Sequence, residues 1–352
     1  MSTSETSSMG SKDLQIQNTT FIVIDFEWNQ PISWIKTSID PKTLPGEIIE
    51  IGAVKVTFKD GEWTLSKPFH RLIRPIRYTV LNKSVARVIN KVSSDLKSGD
   101  RFDRAYMDFM TWCGTNFVIC GWGNSDLGIL KSNLRLHGKS SDIGHMFLDI
   151  QPLFSRLAED SLRQRSVEYA VDFFSISKQQ DFHEAHRDAH YTAQILKQLL
   201  LISPANTDFG SVTDSKKIYE IVSQFIYDPD LNVKTSYNTE LQLTWPKCFS
   251  QARMQAIFCP ACGEPLIEEL AWFRIKKSAF SIWRCEKHRW IRGRMRMKKN
   301  LVGKIYATVD IQLINPAEIR KVQERHGEYL QFGPDGKPNE AVALPGTAEE
   351  FK

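Results

Sequence analysis

The sequence predicts an α/β domain followed by a small, basic, cysteine-bearing domain. Three stretches predict the first part. Phe21-Ile22-Val23-Ile24-Asp25-Phe26-Glu27-Trp28 is apolar on both faces, as a central sheet strand is. Phe117–Cys120, the turn Gly121-Trp122-Gly123 and the segment from Asn124 or Ser125 read as strand, turn and helix. From Glu184 to Leu200 the apolar residues recur with helical period.

The first strand carries two carboxylates near its end. Side chains alternate along a strand, so Asp25 and Glu27 share a face, roughly 7 Å apart along it. Two like charges beside an apolar core are costly unless a cation neutralises them, and oxygen donors select hard cations such as Mg²⁺ or Mn²⁺. A strand end running into solvent is the competing reading. In the middle segment Asp126 falls in the first helical turn, where a carboxylate also serves free N–H groups. In the last segment Ala185, Asp188, Thr192, Ile195, Leu196 and Leu199 fall on one side of the helix. Asp188 therefore lies in the core-facing stripe and needs a partner. His186 and His190 fall on the opposite, solvated side. His183 shares a site with Asp188 only if it precedes the helix, in the loop. The rival is a zinc face made by His183, His186 and His190, which leaves Asp188 unexplained.

Asp-x-Glu on a first strand, Asp after a middle strand, and His-x₄-Asp at a last helix together resemble the DEDDh family of 3′→5′ exonucleases. The resemblance covers roughly residues 19–203 and implies a ribonuclease H-like mixed β-sheet flanked by helices. Glu47–Val54 looks like the family's second strand, and Leu148–Phe154 like its segment between the second and third motifs. Within the family the chain looks most like the Eri/KapD-type branch, whose bacterial members are often described as inhibitors of a sporulation kinase pathway. The middle motif departs from the pattern: Asn124-Ser125 precedes Asp126 without the usual aromatic. The resemblance implies that Asp25, Glu27 and Asp188 hold the metal that activates water. It further implies that Asp25 bridges to a second metal, that Asp126 acts mostly through that metal's waters, and that His183 is the general base. With a pKa near 6.5 when unperturbed, His183 suits that role. Trp28 is placed to stack on a terminal base or to pack at the strand end. The expected substrate is single-stranded nucleic acid, RNA over DNA. The competing class is a nucleic-acid-binding or sporulation-type regulatory protein that keeps the fold without turnover.

The chain of 352 residues has room for one large or two ordinary domains, and its 41% hydrophobic content supports a core. No apolar run of about 18 residues appears, so no membrane partner is expected. Residues 1–18 read as a disordered leader without a signal-peptide core, and the expected location is cytoplasmic, where thiols stay reduced. Cys113 and Cys120 sit in apolar surroundings and read as buried thiols.

Cys259-Pro-Ala-Cys262-Gly263 and, further on, Cys285-Glu-Lys-His288 form a second chemical feature. Two such pairs complete a tetrahedral Cys₃His set for one structural Zn²⁺, resembling a zinc ribbon. All four positions are protein ligands, so this zinc has no catalytic role. Cys248 lies outside the pattern. Residues 241–312 hold 14 Lys/Arg against 5 Asp/Glu, whereas residues 1–240 and 313–352 are each slightly acidic. Such asymmetry points to a polyanionic partner. Basic residues including Arg274, Lys276, Arg284, Arg289, Arg292 and Arg294 interleave with aromatics, a composition suited to single-stranded nucleic acid. The expected organisation is an exonuclease domain at 19–203, a linker with a helix at 204–240, the basic domain at 241–312, and a short helix with a disordered tail at 313–352.

Overall fold

The structure is a computed structural model that describes residues 16–35, 40–159, 161, 163–178, 184–202, 215–231, 233–254 and 257–332. Contacts divide it into two compact units, one ending at Asp230 and the other beginning at Leu231.

The first unit holds β1 (Thr20–Asn29), β2 (Glu47–Lys59), β3 (Glu62–Leu65), β4 (Phe69–Leu72), α1 (Lys83–Ile89), α2 (Phe102–Cys113), β5 (Phe117–Gly121), α3 (Ser125–Leu136), β6 (Phe147–Asp149), α4 (Ile150–Ala158), α5 (Val167–Phe173), α6 (Ala185–Leu201), α7 (Ser215–Gln224) and β7 (Ile226–Tyr227). Seven strands form one mixed sheet in the order β3-β2-β1-β5-β6-β7, with β4 also on β2. β1 runs antiparallel to β2 and parallel to β5, so it is central, as its two apolar faces require. Phe21 and Val23 join a core with residues of α4 to α7. Ile22, Ile24 and Phe26, which alternate with them, join the opposite core with residues of α2 and α3. The result is a ribonuclease H-like mixed sheet between two helical layers.

Three features position the site. β5 stops pairing with β1 at Val23↔Cys120, which leaves the second half of β1 open on that side. Asp149 caps α4 through the Gln151 N–H and also accepts the Gly123 N–H at 3.0 Å, fixing the turn that starts α3. Gly52 on β2 lies so near the start of α6 that a Cβ there would sit 2.1 Å from the Ala185 carbonyl carbon. Glycine at 52 thus lets the helix touch down on the sheet.

The second unit holds β8 (Lys234–Asn238), α8 (Trp245–Met254), β9 (Ile267–Ile275), β10 (Ser278–Cys285), β11 (Arg289–Lys299), β12 (Ile305–Leu313) and α9 (Pro316–Phe332). Its antiparallel sheet has the order β8-β12-β11-β10-β9. One face packs with Cys248 and Ala252 of α8 over Trp272, Met295 and Val309. The other packs with Ile319 and Val322 of α9 over Phe273, Phe280 and Ile282.

The expected linker at 204–240 is divided between the two units. Ile218 and Val222 of α7 and Ile226 of β7 belong to the first core, β7 pairs with β6, and β8 is an edge of the second sheet. The expected short C-terminal helix runs to Phe332 and covers a sheet face. An amphipathic helix beside an apolar sheet is buried rather than left as tail. No helix of the described residues is long and apolar enough to cross a membrane.

Candidate active site and cysteine cluster

Asp25 and Glu27 lie on the face of β1 that carries Phe21 and Val23, and α6 crosses that face. Asp188, one turn into α6, descends onto them. Side-chain oxygens of Asp25, Glu27 and Asp188 all lie within 4.8 Å of one another. Asp126 approaches from the start of α3, and its Oδ1 accepts the Phe26 N–H at 2.8 Å. The carboxylate therefore supplies β1 with the hydrogen bond that β5 does not reach to make. Asp126 is thus joined to the site instead of only capping its own helix.

The electrostatics oppose ionisation of these carboxyls. Burial, then the neighbouring Asp126, Asp188, Glu27 and Glu50, hold the Asp25 carboxyl far above the usual carboxylate range. Burial and the charges of Asp188, Glu50 and Asp126 push Glu27 up to about 8. Burial raises Asp126 to about 6, against the opposing pull of the Phe26 N–H. Neither Asp25 nor Glu27 has an ion-pair partner among the described residues. Three buried or half-buried carboxylates converging on one point suit a hard divalent ion.

Glu50 is a site residue that the sequence reading missed. It lies on β2 directly opposite Glu27 and is fully buried. Lys91 Nζ sits 2.8 Å from its Oε1, and His70 Nε2 of β4 lies 3.8 Å from its Oε2. Burial opposes ionisation, yet the neighbouring His70 and Lys91 hold it down to about 2. Its Oε2 also accepts the Ala185 N–H, the first of α6, at 3.3 Å. Glu50 is therefore a charged anchor for the start of the helix that carries Asp188. The signal was available, since Glu50 interrupts an apolar strand as Asp25 does. Lys91 and His70 carried no such signal, because the β2–β4 register brings His70 there and the chain leaving α1 brings Lys91.

His183 lies outside the described residues. His186 and His190, expected to be solvated, are half-buried instead. The His186 ring packs on His70 with centroids 4.6 Å apart, and burial lowers the pKa of both His186 and His190. For His186 the reason is β4, whose His70 occupies the side of α6 that a lone helix would expose. Trp28 is half-buried against the core on the other face of β1. Its indole lies on Gly46, where a Cβ would come within 2.2 Å of the ring.

In the second unit, Cys259, Cys262, Cys285 and His288 converge, with ligand atoms all within 4.8 Å. Cys259 Sγ is 3.5 Å from His288 Nδ1, Cys285 Sγ is 3.7 Å from it, and Cys262 Sγ is 3.7 Å from Cys285 Sγ. Tetrahedral zinc with Zn–S of about 2.3 Å and Zn–N of about 2.0 Å requires S···S near ~3.8 Å and S···N near ~3.6 Å. The donor set fits. Two tight turns build it: Gly263 takes φ +74° as its N–H bonds to the Cys259 carbonyl, and the β10–β11 hairpin brings Cys285 beside His288. Such a cluster beside an antiparallel sheet is consistent with a zinc-ribbon-like module. Cys248 is buried in the α8 core and outside the cluster. Cys113 and Cys120 are buried, and burial pushes the Cys113 thiol up to about 12.

The residues expected to form a basic face are not gathered on an open one. Arg292, on the α9 side of β11, bonds Gln312 at 2.6 Å and meets Glu318 of α9 at 3.4 Å. Arg294 lies over the Phe280 ring, and Arg284 pairs with Glu269. Arg274 is half-buried on β9, and Arg289 opens β11 at φ +62° with its guanidinium pKa lowered by burial. Lys276 is exposed in the β9–β10 turn.

Residues 22–196 match the RNase T exonuclease family. Among curated proteins, the PolC-type DNA polymerase III of Thermotoga petrophila is 25% identical over 185 residues, 53% of this chain. The matched part is 12% of that relative's own length. Among solved structures, the chain is similar to the nuclease domain of 3′hExo, a DEDDh family member, bound to rAMP, at 16% identity and a TM-score of 0.44 over 52% of this chain and 92% of that one. Cell-death related nuclease 4 matches at 15% identity and a TM-score of 0.44, covering 58% and 78%. Exonuclease I of E. coli in complex with a dA16 oligonucleotide matches at 11% and 0.43, covering 59% and 43%.

Proposed function

We propose that the exonuclease-family domain at residues 22–196 is a divalent-cation-dependent 3′→5′ exonuclease of the DEDDh type. It hydrolyses phosphodiester bonds at the 3′ end of single-stranded nucleic acid, RNA in preference to DNA. One observation carries the reading: the oxygens of Asp25, Glu27 and Asp188 lie within 4.8 Å of each other although burial and mutual repulsion oppose it.

When bound, two Mg²⁺ or Mn²⁺ ions would supply a hydroxide at neutral pH and stabilise the leaving 3′-oxygen. Asp25, Glu27 and Asp188 would hold the first ion, Asp25 would also reach the second, and Asp126 would orient its waters. Asp126 keeps the β1 backbone in place, and Glu50 with Lys91 holds the start of α6. His183, five residues before Asp188, would take the proton from the attacking water. In the second unit one Zn²⁺ on Cys259, Cys262, Cys285 and His288 would be structural, because four protein donors close its shell. The preference for RNA rests on the resemblance of the sequence to the Eri/KapD-type branch of the family.

The test uses 5′-labelled single-stranded RNA and DNA, each incubated with Mg²⁺, Mn²⁺ or chelator. The expected result is a cation-dependent ladder shortening from the 3′ end, faster on RNA and abolished in Asp188→Asn. A wild-type rate in Asp188→Asn, or products released from the 5′ end, overturns the proposal. Faster DNA cleavage overturns the preference alone.

A further inference from the structure

We propose that the end of the second sheet remote from the cysteine cluster is a binding groove for single-stranded nucleic acid. Lys277, Lys298 and Lys299 contact phosphates, and Trp245 and Tyr306 stack on bases. The choice of nucleic acid as occupant rests on the exonuclease reading of the first unit; the groove itself is argued from the second unit alone.

β10 and β11 run between the two ends of this sheet. The cysteine cluster sits at the hairpin joining them, and the β9–β10 and β11–β12 turns lie at the far end. There a groove of about 550 Å³ is lined by Trp245, Lys277, Met297, Lys298, Lys299 and Tyr306. That volume falls within the ordinary range of ligand sites. Trp245 and Tyr306 are half-buried, and the three lysines are exposed. Aromatic rings among lysines match the recognition of a single strand, with stacking on any base and charge on the backbone.

An exposed lysine turn is by itself ordinary. Two contrasts raise this one above that. First, the ion pairs of the unit lie outside the groove, those of its lysines included: Lys234 pairs with Asp310 and Lys287 with Glu264. Arg284, Arg292 and Arg296 are committed to Glu269, Glu318 and Asp310, whereas none of Lys277, Lys298 or Lys299 has an ion-pair partner among the described residues. Glu240, an acid at the same end, is engaged by the Gln251 amide at 3.0 Å. Second, the rim is built. The Asn300 carboxamide oxygen accepts the N–H groups of Val302 and Lys304 at 3.1 and 2.9 Å, and the Lys277 carbonyl accepts the Met297 N–H at 3.1 Å. Pre-ordered turns lower the entropy cost of binding. Leu301 and Val302 stand exposed in the adjoining turn, which makes an anionic membrane the rival occupant.

The test uses full-length Asp188→Asn protein, which suppresses turnover, without chelator so that the cysteine cluster is undisturbed. Fluorescence anisotropy with labelled oligo(U) and oligo(dT) is read across a salt series. Lys277→Gln/Lys298→Gln/Lys299→Gln is expected to weaken binding about tenfold or more. It should also reduce the magnitude of the log K against log salt slope by about 2, three contacts at ~0.7 each. Trp245→Leu should weaken binding about tenfold with the slope unchanged. Ultraviolet cross-links of the otherwise unaltered protein should map to Trp245 or Tyr306. Unchanged affinity in a triple variant of normal melting behaviour overturns the proposal, as do cross-links confined elsewhere. If the triple variant is misfolded, the cross-link map decides. Binding to phosphatidylserine vesicles, lost in the triple variant and without oligonucleotide binding, assigns the groove to membranes instead. Hydrolysis of a dinucleotide by wild-type protein is measured separately. Binding without hydrolysis sinks the exonuclease reading alone, and hydrolysis without groove binding sinks this one alone.

Discussion

The carboxylate site and the cysteine cluster are both sets of side chains converging on a point, yet they are assembled in opposite ways. Asp25, Asp126 and Asp188 come from three elements spread over more than half of the first unit, and only the folded sheet brings them together. The cysteine cluster comes from two tight turns, one between α8 and β9 and one joining β10 to β11. In the first, folding forces like charges into proximity, and the fold must already be stable to hold them. In the second, thiols and an imidazole can sit together uncharged, and a metal adds to folding. A site built against its own repulsion is suited to chemistry, and one built from local turns is suited to stability.

That contrast predicts opposite outcomes for ligand substitutions. Asp25→Asn and Asp188→Asn should each lower the hydrolysis rate by about a thousandfold or more, several kcal/mol of transition-state stabilisation. Each should leave the cation-free melting temperature unchanged or higher, since one carboxyl whose ionisation the folded site opposes is gone. Cys262→Ser should do the reverse: lose zinc by elemental analysis and the cooperative melting of the second unit, while dinucleotide hydrolysis persists. Equal effects of both substitutions on stability would break the comparison.

Glu50 sharpens it, being a charge in the first site that is neutralised by the protein itself. Glu50→Ala leaves Lys91 half-buried without its partner and should cost about 3–5 kcal/mol in denaturant unfolding. Lys91→Met combined with Glu50→Gln should recover much of that stability. It should also keep most of the Mn²⁺ affinity, because the glutamine oxygen still accepts the Ala185 N–H, whereas Lys91→Met combined with Glu50→Leu should lose it.

The smallest expected effect is on pH dependence. Without cations Glu27 is raised from 4.5 to about 8, so it contributes stability below its unfolded pKa that is lost as pH rises through about 8. Bound cations replace the proton. The rise in melting temperature on adding Mn²⁺ should therefore grow from about pH 4.5 to about pH 8, and a flat profile would contradict the placement of Glu27.

Much of this was legible in the sequence because the decisive residues break strong local patterns. Asp25 and Glu27 interrupt a greasy strand, and Asp188 interrupts a helical stripe. Cys259 and Cys262 are spaced for one turn. What was not legible depended on neighbours. The fate of His186 turned on β4, and the paired Arg292 turned on α9. The role of Glu50 turned on a register that only pairing fixes. α7 read as linker because its partners lie on strands and helices distant in sequence.

The bond from Phe26 to Asp126 bears on how any substitution at 126 is to be interpreted. Alanine there removes a charge and also strips an acceptor from the strand that displays Asp25 and Glu27, so two defects arrive under one label. Asparagine can keep the oxygen and discard the charge. The ratio of the two variants, and neither alone, measures how much of the residue's contribution is chemistry and how much is scaffolding.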